Sequence, residues 1–156
     1  MAESSGNIVI VGGGHAAGQL AVSLRQRNHP GRITLIGDER WYPYQRPPLS
    51  KKFLLGELAV ERLYVKPPSF YEHPTFVVRL GERVDEIDRD ARRIRTAGGE
   101  IVDYDSLVLA TGASPRRLGV DGSTLPGIHY LRSIDDVNAI RPRLVPGCRL
   151  AVIGAG

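Results

Sequence analysis

The stretch NIVIVGGGHAAG, Asn7–Gly18, decides how this chain is read. Asn7 to Val11 is apolar and β-branched, which suits a strand buried on both faces. Gly12 to Gly14 break it. From Ala16 to Arg27 the apolar residues Ala17, Leu20, Ala21 and Leu24 follow a helical period. HPGR (His29–Arg32) ends that helix, and ITLI (Ile33–Ile36) predicts a second buried strand. Strand, helix and strand in this order make a βαβ unit.

Gly12, Gly14 and Ala17 stand at the small positions of GxGxxG/A. That pattern has a physical reason. Gly12 permits the tight turn, Gly14 lets backbone approach a pyrophosphate, and Ala17 keeps the helix close to the strand. Unpaired N–H groups and the dipole at the helix start then favour an anion. His15 and Ala16 sit at that start, His15 as a spacer with a backbone contact. The fingerprint also wants an acid after the second strand for the ribose. Asp38 and Glu39 stand there, a few residues beyond the usual ~20 spacing. An acid favours an unphosphorylated ribose, and the motif alone leaves NAD and FAD open.

The chain has 156 residues, enough for one domain with a real core. No apolar run approaches the ~20 residues of a membrane span. MAESSGN reads as no secretory signal, so the expected compartment is the cytoplasm. Cys148 is the sole cysteine, which excludes an internal disulfide and any CxxC redox or zinc site. The net charge of +4 comes from scattered arginines, with small clusters at Arg92, Arg93 and Arg95 and at Arg116 and Arg117. It reads first as a solvated, arginine-rich surface, with attraction for an acidic partner as the alternative. No interleaving of aromatic and basic residues points to nucleic acid.

Further along, Gly37–Pro48 predicts a long functional loop. Ser50 is a candidate cap for a short helix through Leu55, and Pro67 and Pro68 open another short turn. TFVVRL, ERVDEID, RRIRT and EIVDY, between Thr75 and Tyr104, alternate apolar and polar residues and predict a small antiparallel meander. AGGE (Ala97–Glu100) is a hairpin turn within it. SLVLA (Ser106–Ala110) predicts a buried strand, closed by Thr111 and Gly112. Residues 114–127 predict a linker. Ser133 caps a helix toward Leu144, with Pro142 arguing for a kink or an earlier stop. Arg149–Ile153 predicts a last buried strand, with Cys148 structural beside it.

Three phrases carry a resemblance: WYPYQRPPLSK (Trp41–Lys51), YDSLVLATGASPR (Tyr104–Arg116) and LAVIGAG (Leu150–Gly156). With the first glycine loop, they make the chain similar to the FAD-dependent, NAD(P)H-linked ferredoxin and rubredoxin reductases. These are the putidaredoxin-reductase type within the pyridine nucleotide-disulfide oxidoreductase superfamily. The resemblance implies an α/β fold: a Rossmann-like FAD-binding domain of parallel sheet plus β-meander. It implies domains at 1–113 (FAD), 114–148 (linker and helix) and 149–156 (the first strand of an NAD(P) domain). The family chain is longer, so an N-terminal fragment is expected.

Carried over residue by residue, the resemblance implies these roles. Gly12, Gly14, His15 and Ala16 line the FAD pyrophosphate, and Asp38 takes its ribose. Arg46 and Lys51 reach the flavin, with Lys51 as the candidate catalytic group at the reactive edge. Val84 meets the adenine through its backbone. Ala110, Thr111 and Gly112 form a second contact phrase, and Arg132 reaches FAD. Gly154 and Gly156 belong to the NADH loop. The chemistry suits these roles: a fixed lysine favours an anionic reduced ring, and an arginine fork suits phosphate oxygens. With no cysteine pair after the second strand, a flavin–disulfide relay is excluded. The implied partner is an acidic iron–sulfur protein, a ferredoxin or a rubredoxin. The alternative is a non-catalytic flavin or adenine-nucleotide module.

Overall fold

The computed structural model describes residues 6–154. They fall into two compact units. One holds the chain up to Gln45 together with Val60–Ala113; the other holds Arg46–Ala59 and the residues from Ser114 onward.

The first unit is built on a parallel sheet. Strands β1 (Ile8–Val11) and β2 (Ile33–Gly37) are joined by helix α1 (His15–Gln26). β1 pairs with β2 from Ile8 opposite Ile33 to Val11 opposite Ile36. Every residue of β2 is buried, as expected of a strand with neighbours on both sides and side chains on both faces. α1 turns Ala17, Gly18, Ala21 and Val22 inward.

Strand β3 (Phe76–Leu80) departs from the expected meander. It extends the parallel sheet, pairing with β2 from Phe76 opposite Ile33 to Leu80 opposite Gly37. The alternation of FVVRL fits an edge strand of either sheet. What fixes it here is Phe76, buried in a cluster with Phe70 and Tyr71. The antiparallel sheet therefore has three strands: β4 (Val84–Asp88), β5 (Arg93–Thr96) and β6 (Ile101–Asp103). Its β5–β6 turn falls where AGGE placed it, with Thr96 N–H donating to the Glu100 carbonyl and Gly99 at φ +85°. Arg79 of β3 donates to both carboxylate oxygens of Glu100, at 2.6 and 2.7 Å, fastening the edge strand to that turn.

β7 (Ser106–Leu109) returns to the parallel sheet beside β1, giving the order β3-β2-β1-β7. It was expected to be buried. It is an edge strand instead, with Leu109 59% exposed.

Tyr71 sits at the centre of the aromatic cluster, stacked on Tyr42 at 5.2 Å between centroids. Its hydroxyl is buried without a hydrogen-bond partner. Burial first, then the neighbouring Tyr42, pushes the phenol from its ordinary 10.0 up to about 12. An unpaired buried hydroxyl costs roughly 1 kcal/mol or more, so Tyr71→Phe is expected to raise the urea midpoint at pH 7. The raised pKa has a second consequence. The unfolded chain ionises Tyr71 near pH 10 while the fold resists, so its contribution is complete below pH 10 and is lost as pH rises toward 12. The Phe variant should show a flatter decline over that window. A lower midpoint at pH 7 would show that the hydroxyl has a partner.

In the second unit, Pro47–Ser50 is a 3-10 turn. Ser50 ends this turn and caps nothing, because the backbone bonds that follow, such as Phe53 N–H to the Pro48 carbonyl, keep the chain in tight turns through Gly56. Helix α2 (Ile134–Ile140) starts where Ser133 placed it. The Ser133 hydroxyl accepts from Asp136 N–H, and the Asp136 carboxylate accepts from Ser133 N–H, a reciprocal capping box. Pro142 stops the helix early, in a 3-10 turn over Arg141–Arg143.

The expected strand at Arg149–Ile153 does not form. Leu150, Val152 and Ile153 are 66–81% exposed, and no described strand offers them ladder bonds. A parallel strand has no stability without such a neighbour. Cys148 is exposed rather than structural. Among the described residues, no helix is long and apolar enough to cross a membrane.

Candidate dinucleotide site

The C-terminal ends of three parallel strands meet at one corner of the first unit. Gly12, just past β1, donates its N–H to the Ile36 carbonyl of β2 at 2.7 Å. On the other side Ala110, just past β7, donates to the Val11 carbonyl at 2.7 Å. Gly12 has φ +121°, and a Cβ there would stand 2.1 Å from the Ala110 carbonyl oxygen. Only glycine fits. Gly13 faces Gly37 of β2, where an added Cβ would come within 3.0 Å of the Gly13 Cα. β1 lies between the strand reached through α1 and the strand reached through the meander. That is a topological switch point, where open α/β sheets leave a crevice at their carboxyl ends.

Gly14 differs from its neighbours. It is the N-cap of α1, extended at φ −86°, ψ −172°, and a Cβ added there would meet nothing within 4 Å. Steric pressure does not explain this glycine; the open space beside it does. No side chain caps α1, and its first turn carries no acidic residue. The amides of that turn have no acceptor inside the helix, so they are donors aimed at the opening. Exposed His15 and Ala16 flank it, while Ala17 is fully buried. Gly18 seats the helix, because a Cβ there would stand 2.7 Å from Pro43 and 3.2 Å from Val65. Such an arrangement holds an anion without any cationic side chain.

The two acids after β2 are not equivalent. Asp38 is exposed beside Gly37, whereas Glu39 is half-buried and accepts from the Tyr44 hydroxyl at 2.5 Å. This geometry leaves Asp38 facing solvent at the strand end. Thr111 and Gly112 follow Ala110, both exposed, with Gly112 at φ +70°. Val84 opens β4 opposite Thr96, half-buried against the cluster of Val9, Val11, Ile36 and Ile94.

The second unit brings other candidates together. Arg46 donates from its guanidinium to the Arg132 carbonyl at 2.6 Å. Arg132 keeps its own Nε buried without a hydrogen-bond partner. Lys51 is exposed at the end of the 3-10 turn, its N–H held by the Pro48 carbonyl at 3.0 Å. Gly154 is exposed at φ +101°, and Gly156 lies outside the described residues. Among the described residues, no cluster of His, Cys, Asp or Glu is arranged to hold a metal ion.

The residues present fit a dinucleotide. The cradle at Gly14 is open, the helix amides are uncapped, and an exposed acid stands after the second strand. Sequence reasoning missed Gly18, Gly37 and Tyr44. A glycine closing ITLI was a signal for Gly37; the seat of Gly18 left none, because its partners lie far along the chain.

Comparison with known proteins gives the family. The model of the pyridine nucleotide-disulphide oxidoreductases matches residues 6–156. Rhodocoxin reductase of Rhodococcus erythropolis is 43% identical over 96% of this chain and 35% of its own. Rubredoxin-NAD(+) reductase of Pseudomonas putida is 43% identical over 96% of this chain and 39% of its own. Among solved structures, the covalent putidaredoxin reductase–putidaredoxin complex superposes with a TM-score of 0.83 at 36% identity, over 92% of this chain and 35% of that one. The chain thus spans little more than a third of the length of these relatives. From the glycine corner to the matched residues, the chain belongs to the pyridine nucleotide-disulphide oxidoreductase family.

Proposed function

We propose that this chain is the FAD-binding part of an NADH-dependent reductase that passes electrons through FAD to a ferredoxin or rubredoxin. The observation that carries the proposal is the open, uncapped start of α1 at Gly14, set at the switch point between β2 and β7. Relatives named as rubredoxin and rhodocoxin reductases support the reaction class. When bound, FAD supplies hydride acceptance and one-electron release.

Each residue then has a task. The amides of His15 and Ala16 bind the pyrophosphate, and Gly12 and Gly14 keep side chains out of its way. Asp38 accepts from the ribose hydroxyls. Val84 meets the adenine through its backbone, and Ala110, Thr111 and Gly112 line the cofactor from the end of β7. Arg46 and Arg132 supply cationic donors, and the unpaired Nε of Arg132 is a donor waiting for an acceptor. Lys51 places a fixed positive charge at the flavin, where it stabilises negative charge on the ring. Gly154 and Gly156 belong to the NADH loop. With one cysteine, these 156 residues themselves supply no cysteine pair for the redox work. The surplus of +4 favours an acidic iron–sulfur partner. The compartment that goes with this reading is the cytoplasm.

The test is spectroscopic. The full-length protein, purified and mixed anaerobically with NADH, is expected to be yellow and to lose its visible flavin absorbance. A yellow protein inert to both NADH and NADPH would identify a non-catalytic flavin module. A colourless protein that binds ADP would identify a plain nucleotide module.

A further inference from the structure

Arg141 follows α2 and opens the 3-10 turn Arg141–Arg143. In sequence it is an arginine before a proline at a helix end, with no sign of a role. In the structure its guanidinium is engaged by the second unit's other segment. One terminal nitrogen donates to the Phe53 carbonyl, Nε donates to the Leu54 carbonyl at 3.3 Å, and the guanidinium carbon lies 4.9 Å from the centre of the Phe53 ring. Phe53 is itself buried, at 4% exposure. Thus one side chain holds two successive carbonyls and the ring between them, two and three residues after Lys51.

The other end of the same segment is held in the same way. Arg46 donates to the Arg132 carbonyl, and Arg132 N–H is tied to the Asp136 carboxylate at 2.9 Å. α2 lies against the Pro47–Ser50 turn between these two points. The segment from Arg46 to Leu54 is therefore clamped at both ends to one short helix and its caps. Lys51 stands exposed between the clamps. A long flexible ammonium stem has no fixed position of its own; its backbone must be held if its charge is to act at one place.

We propose that Arg141 is a positioning residue: by gripping the Phe53 and Leu54 carbonyls from the end of α2, it fixes where Lys51 delivers its charge to the flavin. This rests on the FAD reading above. Arg141 touches no cofactor in this role; it acts through Lys51.

The experiment uses the full-length protein with FAD and the variants Arg141→Met, Arg141→Lys, Lys51→Met and the double variant Arg141→Met/Lys51→Met. Methionine keeps apolar contact with Phe53 and removes the donors. Hydrogen exchange at the Phe53, Leu55, Gly56 and Glu57 amides is expected to rise at least tenfold in Arg141→Met, with α1 unchanged. The flavin potential should shift in the same direction as in Lys51→Met, and the double variant should match Lys51→Met alone. Arg141→Lys, which keeps the positive charge, should recover part of the protection. Unchanged exchange overturns the proposal. So does loosened exchange with an unchanged potential, or a double variant whose shift is the sum of the two single shifts. A wild-type protein that binds no FAD would instead sink the reductase reading, and the exchange arm would then decide the clamp by itself.

Discussion

Replacing Gly12 with alanine is expected to unfold the first unit. The added methyl carbon would stand 2.1 Å from the Ala110 carbonyl oxygen and 2.5 Å from its carbon, well inside contact distance. Relief requires β1 and β7 to part. They are held by the pairing of Ile8–Val11 with Ser106–Leu109 and by the Ala110 N–H to Val11 carbonyl bond. Rotation of the backbone gives no escape, because φ +121° is strained for any residue with a Cβ. Steric overlap plus backbone strain belongs to the few mechanisms that cost ~4 kcal/mol or more. Against a total stability of roughly 5–15 kcal/mol, that is a large share. The variant should be insoluble, or melt at least about 10 °C lower, by circular dichroism. A melting temperature within about 3 °C of wild type would mean that the corner is soft.

Much of this corner was legible in the sequence because its causes are local. IVIV and ITLI have no polar residue able to face water except Thr34, so both strands had to be buried and therefore neighbours. The three glycines had to turn the chain, and Ala17 had to touch the sheet. Ser133 is another local device, and it caps α2 as read, with Asp136 three residues on completing the box. The misreadings share a different cause. FVVRL alternates like a meander strand, and only a distant partner decides its sheet; β2 takes it as a parallel neighbour. LAVIG has the composition of a buried strand, but a strand is a relation between two segments, and no described segment pairs with it. Ser50 has a capping side chain but no helix to cap, because Pro47 and Pro48 set up a 3-10 turn that ends on it. At the site, the glycines and their turn chemistry were readable, and the surroundings that require them were not. Gly12 is required by the Ala110 carbonyl, ninety-eight positions away in number, while Gly14 is required by empty space. Arg141 left no trace at all, because two carbonyls and a ring have no sequence signature.

That contrast between neighbouring glycines gives the second large effect, and it has opposite signs for fold and ligand. Gly14→Asp is expected to stabilise the protein without its cofactor and to abolish FAD binding. An aspartate at this N-cap has room, since nothing lies within 4 Å of the added Cβ, and the backbone is already extended as a cap requires. Its carboxylate would accept from the first-turn amides that no side chain now satisfies. A negative charge at a helix start also interacts favourably with the dipole, so the gain should be about 0.5–1 kcal/mol. The same carboxylate would fill the opening at which a pyrophosphate is proposed to rest and would repel it. Like charges about 4 Å apart at an effective dielectric near 20 oppose each other by ~4 kcal/mol. That corresponds to roughly a thousandfold loss of affinity. Two measurements read the two signs: the urea midpoint of the FAD-free protein should rise, and fluorescence titration with FAD should show no saturation at concentrations that saturate wild type. A variant that keeps FAD with near-native affinity would place the diphosphate elsewhere, and the anion-binding role of the α1 start would fall. A variant that loses both FAD and stability would show instead that Gly14 is a steric necessity like Gly12, contrary to the open space beside it.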